Sequence, residues 1–474
     1  MATPKRSDAR PRGAALPPAA ASALAARMRG SVLTPASEGY DDARRIWNAM
    51  IDRRPAVIAR CAGVGDVQHA IRFAREHDLL VAVRGGGHNI AGSALCDDGI
   101  VIDLSSMKGV RLDAAHRTAR AEPGLTLGEF DRATQAAGLA TPLGINSTTG
   151  IAGLTLGGGF GWLTRAYGLT VDNLRSAELV TAGGDQVTAS ERENPDLFWA
   201  IRGGGGNFGV VTSFEYGLHP VGPEVMAGLI VHPLSNARAL LRGYRDVAAN
   251  APDALSVWVV MRGAPPLPFL PAEVHGMPVL VLAALYAGRL ADGERAVAPL
   301  RALGTPIADV ISPHAYTGFQ AAFDPLLTPG ARNYWKSHNL ARLDDAVIDT
   351  LVDAAEHLPG GQCEVFLAQL GGAARRVPRD ATAYAGRDAE FVVNVHARWT
   401  EAAQDDACIA WARGLFDAVA PHATGGAYVN FMTQEEGDRV RAAYGPNYER
   451  LAAVKRKYDP TNVFHMNQNV QPSS

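Results

Sequence analysis

A strand that runs into a triple glycine constrains the fold of this 474-residue chain more than any other feature. A histidine and an asparagine follow the glycines directly, in the stretch Val81-Ala82-Val83-Arg84-Gly85-Gly86-Gly87-His88-Asn89. Glycine adopts backbone conformations that other residues resist, and its bare N–H groups can approach an anion closely. The stretch therefore predicts a phosphate cradle with His88 at its rim, as is typical of a nucleotide cofactor site.

Composition and charge exclude several classes of function. A chain of this length is expected to form about three domains. Hydrophobic residues make up 47% and charged residues 20%, and the net charge is −3, so no basic field indicates a nucleic acid or a membrane as partner. The four cysteines lie far apart without metal-ligand spacing, which favours a reduced protein with no metal site. The longest apolar run, Val279 to Ala287, is too short to span a bilayer.

The first 30 residues are rich in alanine, proline and arginine. Pro17 and Pro18 interrupt the one apolar region that could serve as a signal peptide. We therefore predict a disordered tail over residues 1–30 and a cytoplasmic location.

Three further parts follow this tail. Residues 31–224 alternate short apolar strands, helices and glycine-dense turns, with a capping box at Thr126 and Glu129. In residues 225–425, helices near 292–303, 343–357 and 405–419 alternate with strand-like runs at 229–232, 255–261, 278–286, 363–370 and 391–398. This pattern predicts an α+β protein whose second domain has a largely antiparallel sheet covered by helices. Residues 426–474 are predicted to form a tyrosine-rich strand and a basic helix at 447–457.

A literal GxGxxG at residues 204–209 does not indicate a Rossmann fold. That fingerprint requires a strand before the glycines and a helix after them. Here a helix-like stretch, Pro195 to Ile201, precedes the glycines, and a strand, Val210 to Tyr216, follows them. The order is inverted, so the dinucleotide-binding role of this motif is rejected.

A third glycine cluster occupies residues 150–161. Any single glycine there is explained by a turn or by close packing. Three clusters within one unit are better explained by close backbone approach to one extended ligand.

Three segments together resemble the berberine bridge enzyme-like members of the vanillyl-alcohol oxidase and para-cresol methylhydroxylase superfamily. They are the His88 loop followed by Gly99–Ser105, the stretch Leu197–Thr212, and the ending Tyr458–Asn469 with its Asp-Pro-Thr-Asn turn. The resemblance implies a two-part FAD-binding domain at 31–224, a substrate domain at 225–425, and a segment from 426 that returns to the FAD-binding domain.

The resemblance further implies FAD bound covalently through His88. Where many relatives carry a cysteine that forms a second bond, this chain has Asn146, so one covalent link is expected. A neutral imidazole suits that role because it is a good nucleophile near pH 7. The other cofactor-binding residues that the resemblance implies are Arg84, Gly85, Gly86, Gly87, Asn89, Ser93, Leu143, Gly144, Thr148, Thr149, Gly150, Gly153, Gly158, Val211, Asn467 and Gln468.

Tyr428 matches the tyrosine that many members of this family use as a base. A phenol with a pKa of about 10 needs an environment that lowers that value before it can act near neutrality. On strands of the substrate domain, Gln369, Asn394 and His396 are candidates for a second acid or base, or for substrate contacts. Asn394 matches a catalytic glutamate of some relatives, and its amide cannot serve as a base.

The resemblance thus implies an FAD-dependent oxidase that takes hydride from a CH–OH or CH–NH carbon and passes the electrons to oxygen, forming hydrogen peroxide. The substrate would be an alcohol, a sugar, an amine or an N-heterocycle. Two alternatives remain open: a dehydrogenase that uses another electron acceptor, and a flavin-binding protein without turnover.

Overall fold

The computed structural model describes residues 16–473. The segment that precedes the first strand differs from the predicted disordered tail. Helix α1, Pro18–Ala25, lies within the predicted disordered tail, so that prediction is wrong for these residues, while residues 1–15 lie outside the described part. Pro17 and Pro18 begin the helix, since a proline at the first helical position loses no hydrogen bond. Ala21 and Leu24 are buried against the first domain.

A four-stranded sheet carries the His88 loop. It comprises β1 (Ser31–Leu33), β2 (Val57–Arg60), β3 (Val81–Arg84) and β4 (Ile100–Asp103), in the order β1-β2-β4-β3. The last three strands are parallel, and β1 pairs antiparallel with β2. The helices beside it are α2 (Tyr40–Ala43) and α3 (Val64–Glu76). The glycine run begins where β3 ends.

The rest of the first domain is built on a five-stranded antiparallel sheet. The strands that follow in the chain are β5 (Val110–Asp113), β6 (Thr118–Ala121), β7 (Leu139–Ala140), β8 (Leu174–Val180), β9 (Gln186–Ser190), β10 (Val210–Gly217) and β11 (His219–Pro220). The sheet order is β5-β6-β10-β8-β9, and β7 pairs with β11. The helices are α4 (Leu127–Gln135), α5 (Ile151–Leu156), α6 (Thr164–Tyr167) and α7 (Pro195–Ile201). The predicted capping box begins α4, and α7 precedes the GxGxxG glycines while β10 follows them, as predicted.

The second domain contains an antiparallel sheet, as predicted, and this sheet has eight strands where five were predicted. Its strands are β12 (Glu224–Pro233), β13 (Leu255–Gly263), β14 (Pro278–Tyr286), β15 (Ala308–Asp309), β16 (Ser312–Ala315), β17 (Arg332–Leu340), β18 (Glu364–Gln369) and β19 (Phe391–Trp399). The order is β15-β12-β14-β13-β18-β19-β17, and β16 also pairs with β12. Its helices are α8 (Ala237–Asn250), α9 (Leu290–Arg301), α10 (Tyr316–Gln320), α11 (Asp345–Ala355), α12 (Gly372–Arg376) and α13 (Asp405–Val419). Helices α8, α9, α11 and α13 bury one face of the sheet in the largest apolar core, and the opposite face is left for the site.

The C-terminal segment contains α14 (Val440–Tyr444) and α15 (Tyr448–Tyr458). The strand predicted near Tyr428 is wrong, because Val429–Phe431 form a 3₁₀ turn. Asn430 donates to the carbonyls of Gly153 and Leu154, which holds this segment against the third glycine cluster instead of in a sheet. Within residues 16–473, no helix combines the length and apolar composition needed to cross a bilayer.

Candidate active site

Two of the glycine clusters pack backbone against backbone. A Cβ atom added to Gly86 would lie 2.5 Å from the nitrogen and the Cα of Gly150, closer than any real contact allows. Glycine is therefore required at both positions, and the His88 loop docks directly on the segment that begins α5. This contact explains why the two clusters, distant in sequence, form one wall.

That wall bounds a cavity of about 230 Å³ between the first domain and the open face of the eight-stranded sheet. Predicted cofactor-binding residues line one side: Gly85, Gly86, Gly87, His88, Asn89, Gly144, Thr149, Gly150 and Gly153. Asn394 and His396 of the sheet and Tyr428 of the C-terminal segment also line the cavity, together with several aromatic rings. We call this space the main cavity.

A second cavity of about 160 Å³ continues from the first, since Gly85, Asn89 and Gly153 line both. The predicted residues Ser93, Val211, Asn467 and Gln468 lie in its wall. The glycine loop at 204–209 also reaches it through Gly205, Gly206 and Gly209, so all three glycine clusters contact one elongated space.

These two connected cavities fit FAD. Glycine backbone surrounds them, and the Oδ1 atom of Asn467 is buried without a hydrogen-bond partner among the described residues. An orphaned buried acceptor of this kind is satisfied when a polar ligand occupies the space.

Five predicted site residues lie outside the walls of both cavities: Arg84, Leu143, Thr148, Gly158 and Gln369. Arg84 is bound to the Ala43 carbonyl and the buried carboxylate of Asp103, so it anchors the end of β3. Its side chain is therefore engaged away from both cavities.

Gln369 is wrong as a catalytic candidate. Its side chain accepts from the Val257 amide at 3.1 Å and donates to the Ala248 carbonyl at 3.2 Å, on the helix-covered side of the sheet. Side chains alternate along a strand, and in β18 it is Glu364 and Phe366 that face the main cavity.

A short hydrogen-bond chain holds the His88 ring. Its Nε2 lies 3.0 Å from the Thr148 hydroxyl, and that hydroxyl donates to Asn146 Oδ1 at 2.7 Å. Asn146 Oδ1 also accepts from the Thr148 amide, so this atom is the amide oxygen. With its proton engaged there, the Thr148 hydroxyl accepts from His88 Nε2–H, which leaves the lone pair of the neutral ring on Nδ1. Burial and the charge of Arg398 lower the pKa of His88 to about 4.

The Tyr428 hydroxyl oxygen accepts two hydrogen bonds, from Asn430 Nδ2 at 2.9 Å and from the Gly159 amide at 3.2 Å. Burial nevertheless raises the pKa of Tyr428 to about 12, against the lowering effect of those two donors. The phenol is therefore protonated at neutral pH, and within residues 16–473 its O–H has no acceptor.

The open face of the sheet carries a carboxylate–imidazole pair. His396 Nδ1 lies 2.8 Å from Glu364 Oε1, and Arg262 donates to the other carboxylate oxygen at 2.7 Å. Burial acts to raise the pKa of Glu364, but Arg262 and His396 lower it to about 2, so the carboxylate is ionised and accepts from Nδ1–H. Burial lowers the pKa of His396, although Glu364 partly opposes this. The Nε2 atom then carries the lone pair; it is buried and has no partner among residues 16–473, and His396 is one of the residues that line the main cavity.

Glu364 and Arg262 were missed by the sequence reasoning, as was Trp335, whose ring lies 4.4 Å from that of His396. A carboxylate at the start of the otherwise apolar run 363–370 was the available signal for Glu364. The strand that carries Trp335 was not predicted at all.

Comparison with known proteins agrees with this architecture. The family described as FAD binding domain matches residues 55–190, and the one described as berberine and berberine like matches residues 427–471. The (R)-6-hydroxynicotine oxidase of Paenarthrobacter nicotinovorans is 33% identical over 460 residues, which cover 94% of this chain and 97% of that protein. A xylooligosaccharide oxidase of Thermothelomyces thermophilus is 30% identical over 459 residues, covering 90% of this chain and 89% of that one.

Among solved structures, 6-hydroxy-D-nicotine oxidase from Arthrobacter nicotinovorans superposes with a TM-score of 0.85 at 32% identity. The match covers 94% of this chain and 98% of that chain. The likeness therefore extends over both domains and the C-terminal segment.

Proposed function

This chain belongs to the berberine bridge enzyme-like family of FAD-linked oxidoreductases, and from that premise we propose that it is an oxidase with FAD attached to His88. It would oxidise a CH–OH or CH–NH carbon of a small molecule and reduce oxygen to hydrogen peroxide. One observation carries the proposal: His88 of the first domain and the Glu364–His396 pair of the eight-stranded sheet line the same cavity.

When bound, FAD supplies the hydride acceptor, and the protein supplies binding, orientation and proton transfer. The residues that would hold it are those lining the two connected cavities. His88 suits the covalent link because its ring is neutral and its Nδ1 carries a free lone pair. One link is proposed, since Asn146 stands where a cysteine would be needed and the four buried cysteines do not line the main cavity.

We assign proton removal to His396 in place of the predicted Tyr428. A general base must be unprotonated at the working pH and must face the proton that it takes. His396 lines the main cavity and its Nε2 has no partner among the described residues, so this nitrogen would take the proton, and Glu364 would stabilise the imidazolium that forms. Tyr428, protonated at neutral pH, would instead donate its O–H to the substrate heteroatom and orient it.

The walls of the main cavity favour a neutral substrate. Trp47, Trp335 and Phe431 provide flat apolar surface. Two guanidinium groups, of Arg262 and Arg398, act on the single carboxylate of Glu364, so a cationic substrate gains little there. Among the predicted classes we therefore favour alcohols, sugars and neutral N-heterocycles over charged amines.

Reoxidation kinetics test the oxidase proposal. The holoenzyme is reduced without oxygen by a substrate found through bleaching of the flavin, and then mixed with air-saturated buffer. We expect rapid return of the flavin absorbance with one hydrogen peroxide per flavin. Slow reoxidation that an artificial dye accelerates would make the protein a dehydrogenase. A flavin that no alcohol, sugar, amine or N-heterocycle bleaches would favour the binding protein without turnover.

A further inference from the structure

The proline-rich loop 264–271 is the first part of the connection between β13 and β14, and it covers a separate space over the open face of the sheet. This space, the side chamber, has a volume of about 60 Å³. Its floor is formed by side chains of β12, β13 and β14, and its roof by Pro265, Leu267 and Leu270 of the loop and by the segment 323–327. The loop thus encloses a space that has no role in the oxidation as proposed so far.

The side chamber adjoins the main cavity. Five residues line both spaces: Ile145, Trp258, Leu327, Glu364 and Phe366. A molecule held beside His396 therefore has the side chamber as its immediate neighbour.

The two spaces differ in chemistry. In the main cavity, His396 Nε2, Asn394 Oδ1 and Trp335 Nε1 are buried and have no hydrogen-bond partner within the described part of the chain. In the side chamber, the charged groups among the described lining residues are Arg262 and Glu364, which bind each other at 2.7 Å. The remaining surface is aliphatic and aromatic, and its unpartnered polar groups among the described residues are the indole N–H groups of Trp162 and Trp258. The chamber therefore offers a ligand mainly apolar contact and no free acceptor.

We propose that the side chamber binds an apolar substituent of the substrate, whose oxidisable head lies in the main cavity. A cavity of about 150 Å³ holds benzene, so a chamber of about 60 Å³ holds a smaller group, of about two or three non-hydrogen atoms. The preferred substrate is then amphipathic: a neutral polar head with one compact apolar arm. This inference rests on the proposed function, since the head is defined by the proposed active site.

A homologous series of 1-alkanols from ethanol to octanol tests the proposal. These probes share one CH–OH head, and each has one more methylene than the last. Dissociation constants for the holoenzyme are measured from changes in the flavin absorption spectrum. We expect affinity to rise about three- to fourfold per methylene until the chamber is full, and then to level off.

Two substitutions change the chamber without touching the main cavity. Val281 lines the side chamber but not the main cavity. Val281→Phe fills the chamber, so most of the gain in affinity with alkanol chain length is expected to disappear. Leu270→Ala enlarges the chamber from the loop side, and the affinity is expected to level off about three methylenes later. The two variants are expected to shift the plot of affinity against chain length in opposite directions. Either variant alone can therefore test the proposal if the other fails to fold.

The proposal is overturned if the wild-type protein binds all the alkanols equally or binds none, or if the profile is the same in both variants. Acid-stable flavin in the same preparations keeps this result distinct from failure of the proposed function. A protein that has covalent flavin but shows no chain-length dependence refutes only the role of the side chamber. A protein without flavin refutes the proposed function itself.

Discussion

Replacing His396 with glutamine is expected to slow flavin reduction by about 10²–10⁴-fold, the usual contribution of a positioned general base. The imidazole is the group that faces the main cavity in the correct protonation state, and glutamine keeps a similar volume without a basic nitrogen. The rate is measured by anaerobic rapid mixing with a substrate that bleaches the flavin. His338→Gln is the matched control, since His338 lies on the helix-covered face of the same sheet, bonded to the Phe416 carbonyl. We expect its rate to remain within a few-fold of the wild type.

The pH dependence separates His396 from Tyr428. The groups around His396 are Glu364 on β18, Arg262 on β13, Arg398 on β19 and the Trp335 ring on β17. Burial lowers the pKa of His396 below 6.5, so the base is lost only as the pH falls through that lowered pKa, and the rate stays flat above it. If Tyr428 were the base, with its pKa of about 12, the rate would rise about tenfold per pH unit through the alkaline range. Glu364→Gln should slow the reaction and move the acid limb to still lower pH, because the carboxylate raises the pKa of His396.

Replacing Lys455 with methionine is expected to lower the free energy of unfolding by about 3–5 kcal/mol, the cost of removing one partner of a buried ion pair. Its side chain is fully buried, and Nζ donates to Asp459 at 2.7 Å and to the carbonyls of Asn207 and Phe464 at 2.8 Å each. Without the ammonium group, the buried Asp459 carboxylate loses its counter-ion and keeps the backbone amides of Val463 and Phe464 as its donors. Because these bonds join the 204–209 loop to the C-terminal wall of the second cavity, weaker flavin retention is expected as well.

A control for this prediction lies in the same helix. Lys457 forms an exposed ion pair with Asp196 at 2.8 Å, and such pairs contribute about 0–1 kcal/mol. Urea unfolding of Lys457→Met should therefore resemble the wild type. Equal midpoints for the two methionine variants would contradict the stabilising role assigned to Lys455.

Much of the site was predictable because its signals are local. Each glycine run that forms a cavity wall is a contiguous stretch of the chain, and His88 and Asn89 directly follow one of these runs. Strands β18 and β19 were predictable from their apolar character. The element order around residues 204–209 excluded a Rossmann fold, and the structure confirms that order.

The Glu364–His396 pair was not predictable, because it depends on the register between two strands. Glu364 lies directly opposite His396, and a shift of one residue would turn one of them to the helices. Strand β17 was missed because its sequence, Arg-Asn-Tyr-Trp-Lys-Ser-His-Asn-Leu, shows no apolar alternation. One face of this strand contacts α13 and the other lines the main cavity, and polar and aromatic side chains are found on both faces.

Covalent attachment of FAD to His88 is the central claim, and acid precipitation tests it most directly. The wild-type protein and His88→Ala are denatured in acid and centrifuged, and the flavin absorbance of pellet and supernatant is measured. We predict that the yellow chromophore stays with the wild-type polypeptide and that the His88→Ala pellet is colourless. A wild-type pellet without flavin, or a His88→Ala pellet that retains it, would contradict the claim.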